Sequence, residues 1–303
     1  SFAGILKLGR TEMQDAVPIT LGQEFGAYAE AFARDRWRLF KVEERLRQVN
    51  LGGTAVGTGL NAPREYIYAA VEELQNLTGL GIARAENMID VTQNVDVFVA
   101  VSGLVTTAAV NLAKVAADLR LLSSGPRGGF GEITLPRLQA GSSIMPDKVN
   151  PVATEMASQV AFHVMSADYA ITLAALSGQL ELNAFLPLIA FHLLGSLRML
   201  ANGVTVFRLR CVEGVEPDVA RCREWLEESR CLVTALAPYL GYGKAGDLVR
   251  RAVTADKTVR ELALEEGLFT EEELQAIFSP QELTRPGVAG HRAVKQPKGR
   301  RQP

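Results

Sequence analysis

The chain has 303 residues, 48% of them hydrophobic, and its 32 Lys and Arg nearly balance its 34 Asp and Glu, for a formal net charge of −2. A chain of this length and composition can bury a large core, and we expect one large and one smaller domain. The balanced charge gives no electrostatic reason to expect binding to nucleic acid or to an acidic membrane.

Cysteine content and hydropathy indicate the cellular compartment in which the protein is expected. Cys211, Cys222 and Cys231 are an odd number without zinc-site spacing, and the chain has only three histidines. Free, reduced thiols in a cytoplasmic protein are the expectation. The longest uncharged runs, 97–113 and 182–197, are too short to make a good membrane span. No signal peptide is recognisable, and we predict a cytoplasmic protein without a membrane partner.

Helical periodicity dominates the first half of the chain, and no strand-type alternation stands out. Thr20 and Gln23 have the spacing of a capping box, which predicts a long helix reaching about Asn50. We interpret the glycine-rich turn that follows as a packing corner between helices. This turn spans 52–59, and it is followed by a shorter predicted helix at about 61–77 and a long one at about 90–122. We interpret Thr92, Gln93 and Asn94 as a buried polar start of the long helix.

The second half contains a long irregular stretch, 125–150, which we predict to be a closing lid, because such loops are usually functional or disordered. Apolar faces on two further long helices favour an antiparallel bundle, and the fold class is therefore all-α. A break at Gly214–Pro217 separates a bundle domain, 1–213, from a small helical domain, 214–303, with a disordered basic tail at 295–301. The predicted helices are about 152–179, 184–210, 218–237, 244–254, 258–266 and 270–279, the last two with capping boxes at Thr258 and Thr270.

The most informative segment is 141–151, which reads Gly-Ser-Ser-Ile-Met-Pro-Asp-Lys-Val-Asn-Pro. Its two prolines keep the segment out of a continuous helix. Asn150 followed by Pro151 predicts an N-cap and the first helical position. The segment therefore brings two serines and a lysine, Ser142, Ser143 and Lys148, to a helix N-terminus, where free N–H groups favour negative charge. A small carboxylate or phosphate is the expected ligand.

Serine alone is a poor nucleophile or base, so a partner must activate it. His163 and His192 lie in apolar helical contexts and are interpreted as core histidines, which leaves Lys148 as the nearest partner of Ser142. One mechanism is a hydrolytic serine–lysine pair, as in Ser-Ser-Lys amidases, which are built on mixed α/β folds. In the other, Ser142 is a general base that removes a proton beside a carboxylate. The helical pattern favours the second.

This loop closely resembles the signature Gly-Ser-Ser-x-x-Pro-x-Lys-x-Asn of the aspartase/fumarase superfamily. Three other stretches resemble motifs of that family and occur in the family's order: 7–18, 53–59 and 178–183. The resemblance implies a central bundle of long helices followed by a small helical domain. It also implies a homotetramer in which three subunits contribute to each active site.

The resemblance assigns roles to individual residues. It implies that Ser142 takes the Cβ proton of a dicarboxylate substrate, and that Asn183 and Glu155 support the site, Asn183 through structural hydrogen bonds. The residues expected to bind substrate are Thr11, Glu12, Ser143, Met145, Lys148 and Asn150. Residues 14–18 look more like aspartases than fumarases, which implies reversible deamination of L-aspartate to fumarate and ammonium through an enediolate. No cofactor is expected, and activation by a divalent cation is left open.

The chain also departs from the family pattern. Glu12 stands where fumarases carry histidine and aspartases carry histidine or glutamine, and together with Glu155 it would share a proton or bind a cation. Asp147 replaces a usual loop glycine. The family's first domain and first bundle helix are absent from these 303 residues, so a site made from this segment alone would lack substrate ligands. Two alternatives stay open: fumarate hydration or another dicarboxylate reaction on the same scaffold, and a non-catalytic truncated assembly protein.

Overall fold

A computed structural model of the chain describes residues 2–294. The predicted basic tail at 295–301 lies outside the described residues. The helices are α1 (Leu21–Phe40), α2 (Val42–Arg45), α3 (Arg64–Thr78), α4 (Asp90–Gln93), α5 (Asp96–Leu122), α6 (Val152–Leu176), α7 (Leu186–Arg210), α8 (Val219–Glu228), α9 (Val233–Leu240), α10 (Tyr242–Thr254), α11 (Val259–Glu265), α12 (Glu271–Ile277) and α13 (Pro280–Leu283). The predicted all-α class is confirmed, because long helices dominate and the strands are short.

Within residues 2–294, the strands form three pairs. They are β1 (Leu6–Thr11) with β2 (Gln14–Thr20), antiparallel; β3 (Gln48–Val49) with β4 (Ala83–Arg84), parallel; and β5 (Ile133–Thr134) with β6 (Glu216–Pro217), antiparallel. The β1–β2 hairpin was not predicted. Its apolar runs are short, Pro18 is a residue that usually argues against a strand, and its turn lacks the Asn-Gly signature of hairpins.

The chain divides into two compact units that are not continuous in sequence. One contains the N-terminal segment through Tyr28, residues Leu122–Thr134 and the C-terminal part from Glu216 onward, and the other contains Ala29–Leu121 and Leu135–Val215. The later division, at 215/216, lies within two residues of the predicted one. The predicted assignment of 1–28 and 122–134 to the bundle domain differs from this grouping, because pairing of β5 with β6 and packing of α8 on β1 join these segments to the C-terminal part.

In the unit that holds the long helices, α6 and α7 pack against each other and run antiparallel. Val160 lies against Gly203, where an added Cβ would come within 2.9 Å of its side chain. Farther along α6, Ile171 shares an apolar cluster with Ile189 and Leu193. This direction agrees with the predicted antiparallel bundle. Asp35 on α1 is buried and accepts a hydrogen bond from Asn111 on α5 at 2.7 Å, so these two helices are also tied together.

Two predicted helices are interrupted. The helix expected to reach Asn50 ends at Phe40, and after the short α2 the backbone of β3 pairs with β4, which draws the chain out of the helical path. The helix expected from 90 to 122 breaks at Asn94, which has an extended backbone (φ −95°, ψ 131°). Thr92 is buried at the end of α4 and bonds to Asn50 and to the carbonyl oxygen of Met88, in agreement with a buried polar start.

The helix-start predictions are confirmed at three sites. Thr20 and Gln23 exchange backbone and side-chain hydrogen bonds at 3.0 Å each, ahead of α1. Complete capping boxes precede α11 at Thr258 and α12 at Thr270. The glycine-rich turn also behaves as a packing corner, because a Cβ on Gly57 would lie 2.5 Å from the backbone of Ile89.

Candidate active site

The loop that carries the two serines is closed at its neck by the backbone. Gly141 donates its N–H to the carbonyl oxygen of Lys148 at 2.9 Å, and the Nδ2 of Asn150 donates to the carbonyl oxygen of Gly141 at 2.9 Å. A side chain at position 141 does not fit, because its Cβ would lie 2.2 Å from the oxygen of Lys148. The neck therefore fixes residues 142–147 as one excursion of the chain.

Ser142 is oriented within this excursion. Its half-buried hydroxyl oxygen accepts hydrogen bonds from the backbone N–H groups of Ile144, at 3.2 Å, and Met145, at 3.1 Å. Two N–H donors on one hydroxyl oxygen stabilise negative charge there, as preorganised donors do in an oxyanion site. The arrangement thus suits a serine that acts as a base or nucleophile.

The prediction that Asn150 caps the following helix is wrong. The structure begins α6 at Val152, with Pro151 in the N-cap position and no side-chain cap. The Asn150 amide instead closes the loop neck, because its Nδ2 donates to the carbonyl oxygen of Gly141. The first N–H groups of α6 are also partly used, since Val152 bonds to the oxygen of Asn150 and Thr154 to that of Pro151. The helix N-terminus therefore offers less to an anion than we predicted.

The charges of the loop are separated. Lys148 and Asp147 are exposed neighbours, and the Asp147 carboxylate pairs with Arg137 at 2.9 Å. Asp147 has a positive φ of 68°, the backbone conformation for which glycine is the usual residue. This exposed ion pair adds little stability, but it directs the extra negative charge toward Arg137.

The structure places the predicted substrate residues in two separate units. Ser142, Ser143, Met145, Lys148 and Asn150 share one loop in the long-helix unit. Thr11 and Glu12 lie in the other unit, exposed at the turn of the β1–β2 hairpin.

The two supporting residues make contacts of different kinds. Glu155, half-buried on α6, forms an ion pair with Arg120 at 3.3 Å. Asn183 is 1% exposed; its Nδ2 donates to the carbonyl oxygens of Ala174 and Ala175, and its Oδ1 accepts from the N–H of Phe185. These bonds close the connection between α6 and α7, which agrees with the predicted structural role of Asn183.

The interpretation of the histidines as core residues is wrong for this chain taken alone. His163 is exposed on α6, and His192 is half-buried beside the ring of Phe191, 5.2 Å between centroids. The apolar positions around them suggest a core face, but α6 buries a face of small residues instead, including Ala157, Ala161 and Ala167. The larger residues Phe162 and Tyr169 stay exposed.

Neither a metal site nor a clear membrane span stands out within residues 2–294. No group of three or more His, Cys, Asp or Glu in this part of the chain could hold a metal ion. Two segments, Asp96–Leu122 and Leu186–Gly214, are long and apolar enough to cross a membrane by length and composition. That is weak support for a span, because core helices of soluble proteins pass the same test.

Two family models match the chain. One, described as lyase, covers residues 1–166, and the other, described as fumarase C C-terminus, covers residues 232–285. The long-helix architecture and the serine loop are thus those of a lyase family. The chain belongs to the aspartase/fumarase superfamily.

Curated relatives share this assignment over nearly the whole chain. Aspartate ammonia-lyase of Bacillus subtilis (strain 168) is 45% identical over 295 residues, which are 97% of this chain and 62% of that protein. The enzyme of the same name from Pseudomonas fluorescens is 48% identical over 286 residues, 94% of this chain and 60% of that protein. This chain therefore spans about three fifths of the length of these relatives.

Solved structures agree with the fold. A fumarate lyase:delta crystallin from Brucella melitensis, crystallised with bound cobalt, matches with a TM-score of 0.90 and 46% identity, over 94% of this chain and 62% of that one. A recombinant class II fumarase from Schistosoma mansoni matches with a TM-score of 0.82 and 34% identity, over 94% of this chain and 63% of that one.

Proposed function

We propose that the protein is an aspartate ammonia-lyase that converts L-aspartate reversibly to fumarate and ammonium. The observation that carries the proposal is the serine loop, in which two N–H groups bond to the Ser142 oxygen, in a chain 45% identical to a protein named aspartate ammonia-lyase. A carbon–nitrogen lyase with a dicarboxylate substrate is thus the class of enzyme that the relatives favour.

Ser142 is the proposed general base. Its deprotonated oxygen, stabilised by the N–H groups of Ile144 and Met145, takes a proton from Cβ of aspartate. The electron pair of the broken C–H bond moves into the adjacent carboxylate and forms an enediolate, whose added negative charge the Lys148 ammonium stabilises. When the pair returns to form the C=C bond, the Cα–N bond breaks and ammonia leaves, to be protonated in water. Thr11, Glu12, Ser143, Met145 and Asn150 are the proposed substrate-binding residues.

The test uses the gene-encoded protein. With L-aspartate, it should produce fumarate, measured by the rise in ultraviolet absorbance. Ser142→Ala should lower kcat at least about a hundredfold, the usual contribution of a general base. Ser158→Ala is a matched control, since this hydroxyl only bonds to the backbone of α6 and its loss should leave turnover unchanged. Full activity of Ser142→Ala would contradict the proposed mechanism.

Fumarate hydration is the second candidate, because the class II fumarase matches the fold and because Glu12 departs from the aspartase pattern. A substrate panel separates the two reactions: turnover of malate without turnover of aspartate would identify a hydratase. If neither substrate reacts and Ser142→Ala changes nothing, the third alternative, a non-catalytic assembly protein, is favoured.

A homotetramer with shared active sites is also part of the proposal. It is supported by large apolar side chains left exposed along α6 and α7, including Phe162 (60% exposed), Tyr169 (68%), Leu176 (68%) and Phe191 (75%). Extensive exposed apolar surface marks a protein interface. Light scattering should give the mass of a tetramer, and Phe191→Glu should give smaller species. A monomeric wild-type protein would exclude the assembly.

A cytoplasmic location completes the proposal. Its support is the free state of Cys211, Cys222 and Cys231, since reduced thiols are typical of cytoplasmic proteins.

A further inference from the structure

The β1–β2 hairpin rests on a carboxylate that the sequence did not single out. Glu132, in the segment after α5, is fully buried and pairs with two cations of β1. Its Oε1 accepts from Nη1 of Arg10 at 2.7 Å, and its Oε2 lies 3.1 Å from Nζ of Lys7. Lys7 is itself buried and contacts Glu24 of α1 at 3.3 Å.

Stability alone does not account for this cluster. Removing charged groups from water costs as much as their attraction returns, and an apolar cluster of the same volume is often equally stable. Two cations on one buried carboxylate also fix the orientation of the strand that carries them. Arg10 is held a second time, with its guanidinium 4.1 Å from the centre of the Phe130 ring. The Arg10 side chain is thus held by both the Glu132 carboxylate and the Phe130 ring.

The turn next to Arg10 has an unfavourable backbone. Thr11 pairs with Gln14, and the two residues between them, Glu12 and Met13, both have positive φ values, 52° and 65°. Asn and Gly are the residues that normally accept this turn, because other side chains are disfavoured in the left-handed region. Strain of this kind persists only where the surroundings hold it, and it is concentrated at functional sites.

Both strands are tied down immediately beside the turn. Arg10 is paired in register with Asp15, and the Asp15 carboxylate accepts a hydrogen bond from the buried Ser229 hydroxyl at 2.9 Å. The strained turn is therefore held on one side by Glu132 through Arg10 and on the other by Ser229.

We propose that Glu132 is a positioning residue, which through Arg10 holds the hairpin turn in the geometry that presents Thr11 and Glu12 to the substrate. This inference rests on the proposed function, because it takes these two residues as substrate contacts. Loss of the Glu132 charge should misplace the turn and weaken substrate binding in ground and transition states alike. Such a loss raises KM and leaves kcat nearly unchanged.

The test compares Glu132→Gln with wild type in the gene-encoded protein. We expect KM for L-aspartate to rise about tenfold with kcat within about twofold, because the loss of an interaction made equally in the ground and transition states raises KM alone. Arg10→Met should show the same split, and the double variant should be little worse than the worse single variant, because both remove one interaction. If Glu132→Gln does not fold, Arg10→Lys, which keeps the charge, is measured instead and should raise KM less.

Leu248→Ala is the matched control. This fully buried residue belongs to the apolar cluster of the C-terminal helices, so its truncation should lower Tm without changing KM. A folded Glu132→Gln or Arg10→Lys with wild-type KM, or an equal rise of KM in Leu248→Ala, would overturn the inference.

A second readout separates this inference from the proposed function. Hydrogen exchange of the Thr11–Gln14 amides should be faster in Glu132→Gln than in wild type. In Leu248→Ala, exchange at this turn should not increase more than it does elsewhere in the chain. If wild type has no lyase activity, the proposed function fails, and this exchange measurement still decides whether Glu132 holds the turn. Unchanged exchange together with unchanged KM rejects the positioning role itself.

Discussion

Asn150 donates from its side-chain amide to the carbonyl oxygen of Gly141, nine residues earlier, at 2.9 Å. This bond, with the backbone bond from Gly141 to Lys148, makes a narrow neck below Ser142. The neck explains why Gly141 and Asn150 flank the loop. Gly141 leaves room for the backbone at Lys148, and the Asn150 amide donates to the Gly141 carbonyl oxygen. The Asn150 side chain, which we expect near the substrate, therefore also bonds within the loop. It does so through its Nδ2, not through its Oδ1.

The loop neck predicts the effect of a single methyl group. Gly141→Ala places a Cβ 2.2 Å from the oxygen of Lys148, so the neck must open and the Ser142 oxygen should lose its N–H donors. We expect kcat/KM for L-aspartate to fall at least about tenfold, while the free energy of unfolding changes by less than about 1 kcal/mol, because the loop is largely exposed. Steady-state kinetics and urea unfolding measure the two quantities.

Gly128→Ala is the control for this variant, since nothing lies within 4 Å of a Cβ there. Equal activity of the two variants would show that the neck does not position Ser142.

The packing corner at 52–59 predicts a loss of stability. Gly57 has a φ of 91°, and a Cβ there would contact the backbone of Ile89 at 2.5 Å. Gly57→Ala should lower the free energy of unfolding by about 3 kcal/mol, from backbone strain plus the clash. Gly79→Ala isolates the strain, because Gly79 also has a positive φ (68°) but nothing within 4 Å. Its loss should be about 1 kcal/mol, and equal losses measured by urea unfolding would argue against a close-packed corner.

The cysteines should be unreactive in the folded protein. Burial raises the pKa of Cys211 to about 11, and burial together with the nearby Glu132 carboxylate raises that of Cys222 to about 12. Burial also raises the pKa of Cys231. A raised pKa keeps the thiol neutral, so at pH 8 roughly one Cys211 in a thousand is the reactive thiolate. Modification by a thiol reagent, followed by mass spectrometry, should be slow until denaturant is added; rapid labelling of Cys222 in native buffer would contradict its burial.

The capping boxes predict a small and pH-dependent loss of stability. Thr258→Ala and Thr270→Ala should each lower the free energy of unfolding by about 1 kcal/mol, the usual cost of removing an N-cap hydroxyl. Hydrogen bonds from the Thr258 backbone and side chain lower the pKa of Glu261 below its ordinary value of 4.5. Because the folded state lowers this pKa, the contribution is present above pH 4.5 and is lost as the pH falls through the folded value.

Thermal unfolding of Thr258→Ala and wild type at pH 7 and at pH 3 checks this sign: the difference in Tm should be smaller at pH 3. Glu271→Gln serves as a control, since its exposed ion pair with Arg260 should contribute little. A larger difference at low pH would mean that Glu261 is not the acceptor.

The helical class, the three capping boxes and the serine loop could be predicted from the amino-acid sequence, because each depends on residues within a few positions of one another. Periodicity places apolar faces on helices, and Thr20 with Gln23 marks a helix start whatever packs around it. The family motifs are local in the same sense, and for this reason they identify the candidate residues from Ser142 to Asn150 without the structure.

The partners of these residues, by contrast, depend on how the chain packs in three dimensions. The sequence predicts an N-cap at Asn150, but its side chain bonds to Gly141. It also predicts a core position for His163, which lies on an exposed face. Neither outcome follows from the neighbouring residues in the chain. Glu132 is 122 residues from Arg10, and no spacing rule links them. A buried carboxylate must find its cations wherever the fold brings them, and long-range electrostatic pairing of this kind is fixed by packing rather than by local sequence.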